Sequence, residues 1–274
     1  LFSLMPKPVK DEIFGSRKSV LKSKLNIRVF ENIFFATCLR RINPDPKTRY
    51  VLLRECFSEK EFTDNAFADI SPFFNHSLRI GNIWFAENNV QIRSLRKDIS
   101  KVFDQQEEFA SYLLQLLKCS AGKLTPSSAK IIENEDVSSL SRFLRKALYG
   151  RVGSTDIDFM IFNQSQNRLT CIEEKLYLEA NGGSIGHGQY LSYRELIADA
   201  LATDKIANTR FYLVFIPDVT LYKCYVYNFM KEVNTAQRSP AFYDPKRNER
   251  RILFTFSEMD ELNLSEFLGD YILS

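Results

Sequence analysis

Short apolar runs separated by turn-forming residues indicate that strands make up much of this chain. The stretches 156–162 (DIDFMIF) and 210–216 (RFYLVFI) have the length and the β-branched and aromatic content typical of strands. Further strands are predicted at 49–56, 77–87, 90–93, 169–175, 222–230 and 252–256. Residues 17–40 alternate between apolar and polar positions in a way that fits either a helix or a strand, and both interpretations stay open.

Apolar residues spaced three and four positions apart predict the helices. This spacing indicates helices at 94–119, 138–149 and 189–203, and a closing helix that starts near Ser257. The glycines between 182 and 188 predict a flexible loop before the third helix. From residue 94 to residue 216 the order is helix, helix, strand, strand, helix, strand. This order predicts an α/β protein with a central mixed β-sheet flanked by helices.

Length and composition fit a globular protein with a large core. The 274 residues are 45% hydrophobic and 26% charged, which excludes an intrinsically disordered chain. The change of pattern near residue 94 predicts an N-terminal α+β region, 1–93, and a second domain, 94–274, with a C-terminal β/α extension. No apolar run reaches the ~20 residues of a membrane span, so no membrane partner is expected.

The cysteines and histidines do not form a recognisable metal or disulfide pattern. Five cysteines are scattered along the chain, and the only histidines are His76 and His187. Disulfide frameworks, zinc sites and cysteine-bound clusters need closer spacings than these. We therefore expect reduced core thiols in an intracellular protein, cytoplasmic or, in a eukaryote, nuclear.

Acidic residues and one lysine lie at the ends of two neighbouring predicted strands. Because side chains alternate along a strand, Asp156 and Asp158 are expected to share a face, as are Glu173 and Lys175 on the next strand. Converging carboxylates suit Mg²⁺, which takes one or two protein carboxylates beside a substrate phosphate. A lysine next to the ion would orient or deprotonate an attacking water, or offset charge on the phosphate oxygens.

These two strands resemble the signature of the PD-(D/E)XK nuclease superfamily, which includes restriction endonucleases, recombination nucleases and junction resolvases. The resemblance covers 153–162 (GSTDIDFMIF) and, eight residues later, 171–175 (CIEEK). It implies a restriction-endonuclease-like core and a Mg²⁺ cofactor, with Mn²⁺ as an alternative. The E-x-K pair would be Glu173 and Lys175, and the backbone carbonyl of Glu174 would be a further metal ligand.

The aspartate of this motif has two candidates. Gly153-x-x-Asp156 resembles the RecB-like exonuclease branch of the superfamily, whereas the uninterrupted apolar run after Asp158 resembles the usual entry into the strand and favours Asp158. Both residues stay candidate catalytic residues and metal ligands.

A second motif follows at the start of the third helix. Gln189 and Tyr193 match the Q-x-x-x-Y pattern that comes after E-x-K in the exonuclease-like members. The resemblance implies that Gln189 contacts a metal-bound water or the substrate and that Tyr193 lies on the same helix face, near the substrate. Glu107 and Glu108 are an alternative source of a further carboxylate, although a solvated helix surface is favoured for them. His187 is expected in the preceding loop.

Basic residues are concentrated in the N-terminal part of the chain. Residues 1–60 contain thirteen Lys or Arg against six Asp or Glu, and 246–251 holds four more basic residues. A basic surface attracts a polyanion and binds phosphates in a salt-dependent way. The predicted substrate-binding residues are Arg17, Lys18, Lys22, Lys24, Arg40, Arg41, Lys246 and Arg247.

The sequence as a whole therefore predicts a metal-dependent DNA endonuclease, with restriction or another defence role as the expected setting. A recombination or repair exonuclease is the alternative that Q-x-x-x-Y favours. A non-catalytic nucleic-acid-binding subunit with a relic nuclease fold is a third hypothesis. DNA is the expected partner, RNA stays open, and the regions outside the core are expected to recognise DNA or form a homodimer.

Overall fold

A computed structural model describes residues 26–38, 50–74, 77–95, 99–117, 139–148, 152–201, 208–217, 223–267 and 269. The strands are β1 (Ile27–Cys38), β2 (Tyr50–Glu55), β3 (Ser77–Ala86), β4 (Asn89–Ser94), β5 (Ile99–Phe103), β6 (Val152–Asn163), β7 (Arg168–Lys175), β8 (Gly182–Gly186), β9 (Thr209–Phe215), β10 (Lys223–Asn228), β11 (Phe242–Asp244), β12 (Glu249–Thr255) and β13 (Asp260–Asn263). The α-helices are α1 (Glu59–Thr63), α2 (Gln106–Leu116), α3 (Ser139–Ala147), α4 (His187–Leu201) and α5 (Leu264–Glu266). Short 3₁₀ helices occupy Ala66–Phe73, Phe229–Asn234 and Phe256–Glu258. None of the described helices is long and apolar enough to cross a membrane.

Ten of the described strands form one mixed sheet, in the order β13-β10-β9-β7-β6-β1-β2-β3-β4-β5. Strand β6 is antiparallel to β1 on one side and to β7 on the other. Strand β7 is parallel to β9, and the chain between them passes through β8 and α4. Strand β8 pairs instead with β12, in a three-stranded sheet that also contains β11. The predicted α/β class with a mixed central sheet is confirmed.

Apolar side chains on both faces of the ten-stranded sheet explain how the layers pack. On β1, Phe35 is buried in one hydrophobic cluster and its neighbour Phe34 in another, as expected when consecutive side chains point to opposite faces. The Phe35 cluster includes Tyr190, Tyr193 and residues further along α4, so we call this the α4 side of the sheet. The Phe34 cluster includes side chains of α2 and α3. The open interpretation of 17–40 is thereby resolved as a strand for residues 27–38.

Strands from both sides of the predicted boundary near residue 94 join this one sheet. Strand β1 pairs with β6 along its whole length, from Ile27 opposite Asn163 to Cys38 opposite Val152. Strand β4 ends at residue 94 itself and pairs with β5 beyond it. Residues 27–94 therefore supply strands that flank the predicted nuclease core, while their role in DNA recognition or dimerisation stays a prediction.

The helix predicted at 94–119 is wrong in its first half. Residues 99–103 form β5 at the edge of the sheet, and α2 begins only at Gln106. Strand β5 alternates as an edge strand does, with Val102 exposed and Phe103 buried. The spacing of Val102 and Phe103 from Phe109 also fits one face of a helix, so the apolar pattern alone does not distinguish a strand from a helix at 99–103.

The flexible glycine loop predicted at 182–188 is also wrong. Residues 182–186 form the buried strand β8, and His187 already belongs to α4. The glycines allow very close packing: a Cβ on Gly183 would lie 2.5 Å from the ring of Phe215, and one on Gly182, where φ is +150°, would lie 1.9 Å from the carbonyl oxygen of Phe254. Glycine here reflects close approach of neighbouring chain segments rather than flexibility.

The closing helix predicted to start near Ser257 does not begin there. Phe256–Glu258 forms a single 3₁₀ turn, after which β13 pairs with β10 before the short helix α5 begins. The 3₁₀ turn carries a capping box, in which the side chains of Thr255 and Glu258 each accept a hydrogen bond from the other's backbone N–H. This capping signal starts a helical turn, but the chain returns at once to the sheet.

The described cysteines behave as core residues, as expected. Cys56, Cys171 and Cys224 are free and buried. Burial raises the pKa of each thiol to about 12, because the charged thiolate is disfavoured away from water. These thiols are therefore protonated and unreactive at neutral pH.

Candidate active site

The candidate site lies on the hairpin formed by β6 and β7, near the carboxyl end of β7. The two strands pair from Phe159 opposite Ile172 to Asn163 opposite Arg168. Continuing this antiparallel register by one position places Asp158 opposite Glu173. The strands predicted at 156–162 and 169–175 are thus confirmed as a hairpin with its turn at 164–167, and the hairpin brings the acidic residues of both strands to the same end.

Glu173 is the centre of the site. Its side chain is almost completely buried, with 2% of the residue exposed. Oε1 forms an ion pair with Nζ of Lys175 and accepts a hydrogen bond from Nε2 of Gln189 at 2.7 Å. Among the described residues no donor reaches Oε2, although this oxygen is also buried. A buried carboxylate oxygen without a partner is costly, so this atom is suited to a ligand.

Asp158 lies beside Glu173 and is tied to the β7 backbone. Its Oδ2 accepts a hydrogen bond from the backbone N–H of Glu174 at 2.6 Å. Burial and the negative charge of Glu173 hold the pKa of the Asp158 carboxyl well above its ordinary range, and the positive charge of Lys175 offsets only part of this effect. Two carboxyl groups are therefore held close together beside one ammonium group.

Strand β6 is distorted at Asp158, and this distortion changes the predicted faces. Ile157 and Met160 are both buried on the α4 side, three positions apart, whereas Phe159 belongs to the cluster on the opposite face. Strict alternation would not place Ile157 and Met160 together. On β1, Asn32 has a φ of 58°, and the paired residues of β1 and β6 skip the position where Asn32 faces Asp158. The sequence expectation of regular alternation through this strand is therefore wrong.

Asp156 is separated from Glu173 by the sheet. Its Oδ2 accepts a hydrogen bond from Oγ of Ser141 in α3 at 2.7 Å. Its neighbour Thr155 points to the other face, where Oγ1 accepts a hydrogen bond from Gln189 at 3.0 Å. The geometry favours Asp158 as the partner of Glu173, because the Asp158 carboxyl is hydrogen-bonded to β7 whereas that of Asp156 binds α3. Asp156 still contributes negative charge that raises the pKa of Asp158.

Gln189 and Tyr193 are joined directly to the site. Nε2 of Gln189 contacts Oε1 of Glu173, Oγ1 of Thr155 at 3.0 Å and the hydroxyl of Tyr193 at 2.8 Å. The Tyr193 hydroxyl donates to the carbonyl of Asp156 at 2.8 Å. Burial and the negative charge of Glu173 raise the pKa of Tyr193 well above its ordinary value, so it stays a neutral donor. The predicted shared helix face is confirmed.

Tyr193 does not fit the predicted contact with the substrate. The residue has no exposed surface, and its ring packs edge-on against Phe211 at 4.7 Å and Phe229 at 5.8 Å between ring centroids. A side chain enclosed in this way acts through Gln189, which it orients. We therefore correct its role from substrate binding to positioning.

The donor set fits a divalent cation that keeps part of its water shell. Glu173 has an unpartnered buried oxygen beside the carboxyl of Asp158, and a bound cation would favour the ionised form of Asp158 that burial and Glu173 disfavour. The part of the chain that is described contains no group of three or more His, Cys, Asp or Glu side chains arranged to hold a metal. Mg²⁺ does not require such a group, because it takes one or two carboxylates together with waters and substrate phosphate. The carbonyl of Glu174 stays a predicted further ligand.

The other predicted residues lie elsewhere or outside the described chain. Arg17, Lys18, Lys22, Lys24, Arg40 and Arg41 lie outside the described residues. Lys246 and Arg247 are exposed on the turn between β11 and β12. Glu107 and Glu108 are exposed on α2, beside Lys101 and remote from β7, as a solvated surface predicts.

Two side chains that bind candidate residues were not predicted from the sequence: Thr155 and Ser141. Thr155 holds Gln189, and Ser141 binds Asp156. Thr155 could have been predicted, since it lies two positions before Ile157 and therefore on the same face of the strand that leads to Asp158. The role of Ser141 depends on a tertiary contact that no local pattern encodes.

Comparison with known proteins gave no match to a protein-family model, to a curated protein or to a solved structure.

Proposed function

We propose that this chain is a Mg²⁺-dependent nuclease of the PD-(D/E)XK type that hydrolyses phosphodiester bonds in DNA. The observation that carries the proposal is the environment of Glu173. One oxygen of this buried carboxylate is bound by Lys175 and Gln189, and the other has no partner in the described chain, next to the carboxyl of Asp158. A purely structural ion pair needs neither the second carboxylate nor the open oxygen.

The topology around these residues supports the same proposal. The strand that carries Asp158 is antiparallel to the strand that carries the E-x-K pair, and α4 then leads to β9, which is parallel to β7. The Q-x-x-x-Y residues begin α4 and reach back to Glu173. The expected restriction-endonuclease-like core has the Asp, E-x-K and Q-x-x-x-Y motifs in this order on neighbouring elements.

Each residue has a distinct role in the proposed reaction. Asp158 and Glu173 would hold the ion, and the ion would polarise the phosphate and lower the pKa of a bound water. The Lys175 ammonium, held by Glu173, would orient the attacking water and offset charge that grows on the phosphate oxygens. Gln189 fixes the Glu173 carboxylate, and Tyr193 and Thr155 fix Gln189.

The first test is cleavage of supercoiled plasmid DNA with Mg²⁺, Mn²⁺, Ca²⁺ or EDTA. We expect nicked and linear products with Mg²⁺ or Mn²⁺ and none with EDTA. Ca²⁺ should support binding without turnover, because its longer and looser coordination does not align the attacking water. DNA binding without cleavage under every metal condition would contradict the nuclease proposal and support the non-catalytic binding subunit.

An exonuclease is the second candidate, and the contacts of Gln189 and Tyr193 favour it. These two residues match the motif of the exonuclease-like branch, and both are built into the site. The same plasmid distinguishes the candidates, because a strict exonuclease needs a free end. Degradation of linear DNA with no attack on the closed circle would establish the exonuclease, whereas cleavage of the circle supports the endonuclease, for which restriction or defence is the proposed setting.

A further inference from the structure

Two arginine side chains pack against a tyrosine that follows the strand of the E-x-K pair. Tyr177 lies two residues beyond Lys175, and its ring has the Cζ of Arg247 at 4.2 Å and the Cζ of Arg251 at 5.3 Å from the ring centroid. Its hydroxyl accepts hydrogen bonds from both arginines and donates to the carbonyl of Ser184 at 3.3 Å. One aromatic side chain thus positions two cations.

The two arginines differ in environment. Arg251 is buried, and it donates to Oγ of Ser184 and to the carbonyl of Ser184, both at 2.8 Å, and to Glu249. Burial lowers its pKa to about 10, so Arg251 is a cation held inside the protein. These contacts make it a structural support that fixes the hydroxyl of Tyr177.

Arg247 is the outward member of this pair. Its side chain is 41% exposed, and its ion pair with Asp244 is loose, with Nε and Oδ2 3.7 Å apart. Its guanidinium is nevertheless held in one direction by the Tyr177 ring and hydroxyl. Nitrogens of Arg247 and Arg251 bind the same oxygen. Arg251 is paired closely with Glu249 and Arg247 only loosely with Asp244, so the exposed guanidinium of Arg247 is the one that an anion from outside can reach.

We infer that Arg247, held on Tyr177, binds a backbone phosphate of the nucleic acid next to the phosphodiester that is cut. The inference rests on the proposed function and names its substrate contact. The Cα atoms of Lys175 and Tyr177 are at most about 7 Å apart, because two residues of chain span no more than this, and each nucleotide advances a DNA strand by about 3.4 Å along the duplex. A phosphate at Arg247 is therefore one to a few nucleotides from a phosphate at Lys175. A planar guanidinium suits this contact, because it binds two phosphate oxygens at once.

The test compares Arg247→Ala with Arg250→Ala, which removes the same charge from the same hairpin. Arg250 is exposed, and its neighbour Arg251 points toward Tyr177, so Arg250 points to the opposite face of β12. Affinity for a labelled DNA duplex is measured in Ca²⁺ at several salt concentrations, and thermal unfolding checks that the variants are folded. Arg247→Lys keeps the charge but loses the planar, bidentate group.

We expect Arg247→Ala to weaken DNA binding about tenfold and to reduce the slope of log K against log salt by about one. Arg250→Ala should stay within about twofold of the wild type, and Arg247→Lys should restore the slope but only part of the affinity. Equal effects of Arg247→Ala and Arg250→Ala, or no effect of either, would overturn the inference. If the wild type binds DNA but never cuts it, the nuclease proposal fails, while a selective Arg247→Ala effect still supports the phosphate contact.

Discussion

Replacing Asp158 with asparagine should stabilise the protein when no divalent metal is present. The replacement removes the negative charge that Asp158 carries beside Glu173 when its carboxyl is ionised, and it keeps the side-chain shape. The carbonyl oxygen of the new amide can still accept the hydrogen bond that Oδ2 of Asp158 now accepts from the N–H of Glu174. The change therefore tests the charge repulsion between Asp158 and Glu173 with little disturbance of packing.

The size of this effect follows from the register of the hairpin. Side chains directly opposite each other on antiparallel strands have Cβ atoms about 5 Å apart. Two unit charges at about 5 Å with an effective dielectric constant of about 20 repel by about 3 kcal/mol. The ion pair of Lys175 with Glu173 cancels part of this repulsion. We expect a net gain of about 1–2 kcal/mol, which raises Tm by about 2–6 °C for a protein of this size.

The effect should depend on pH in a defined direction. Because burial and Glu173 raise the pKa of Asp158, the folded protein retains a proton at pH values where the unfolded chain has already released it. Wild-type stability from this group is therefore complete below the ordinary pKa of an aspartate and declines as pH rises through the raised value. The Asp158→Asn variant lacks this decline, so its advantage should be small at about pH 4 and should grow as the pH rises through the raised pKa of Asp158.

Thermal unfolding in EDTA and in Mg²⁺ measures both parts of this prediction. Mg²⁺ at about ten times its Kd should stabilise the wild type by about 1.4 kcal/mol and Asp158→Asn much less. Asp104→Asn, which removes an exposed carboxylate outside the site, is the matched control and should leave Tm unchanged. Loss of stability in Asp158→Asn at about pH 8 in EDTA, or equal stabilisation of both proteins by Mg²⁺, would refute the paired-carboxylate site.

Three further predictions test other parts of the structure. Tyr193→Phe should lower kcat for DNA cleavage about tenfold with KM nearly unchanged, because the loss of the hydroxyl frees Gln189 and Tyr193 itself does not contact the substrate. A raised KM with a normal kcat would instead indicate direct contact between Tyr193 and the DNA. Glu258→Gln should lower the free energy of unfolding by about 1 kcal/mol at about pH 7 and leave it almost unchanged near pH 2. Burial raises the pKa of Glu258, but hydrogen bonds from Arg238 and Thr255 outweigh this effect and lower the pKa to about 2, so the stability that Glu258 contributes is lost as the pH falls from about 4.5 to 2. A difference in unfolding that persists at pH 2 would contradict this. Gly183→Ala should lower the free energy of unfolding, measured by chemical denaturation, by about 1–3 kcal/mol, because the added Cβ would lie 2.5 Å from the ring of Phe215. An unchanged denaturation midpoint would show that β8 is less tightly packed than described.

Local pattern is enough to predict the hairpin and the start of α4. The apolar runs of β6 and β7, the polar turn between them, and the i, i+4 spacing of Gln189 and Tyr193 are all encoded by neighbouring residues. These features place Glu173 and Lys175 at one end of the hairpin, whereas the contact of Gln189 with Glu173 is tertiary and was expected only from the resemblance to the nuclease superfamily. The central sheet follows from the alternation of strands and helices.

Features that depend on distant parts of the chain could not be predicted in the same way. The distortion at Asp158 is coupled to the positive φ of Asn32, more than a hundred residues away on β1. The glycines of β8 predict a loop when only their neighbours are considered, but they are required by Phe254 and Phe215, which come later in the chain. In both cases the deciding contact is tertiary, and it overrides the local preference of the residues.

The most direct test of the proposed active site is the rate of plasmid cleavage in Mg²⁺ by the wild type and by Glu173→Gln. Glutamine keeps the shape of Glu173 and an oxygen that can accept the hydrogen bonds from Gln189 and Lys175, but it removes the charge that would hold the metal. We predict a fall of at least about a hundredfold in the cleavage rate, about 2.7 kcal/mol, with DNA affinity in Ca²⁺ retained to within a fewfold. Cleavage by Glu173→Gln at the wild-type rate would contradict the assignment of this site.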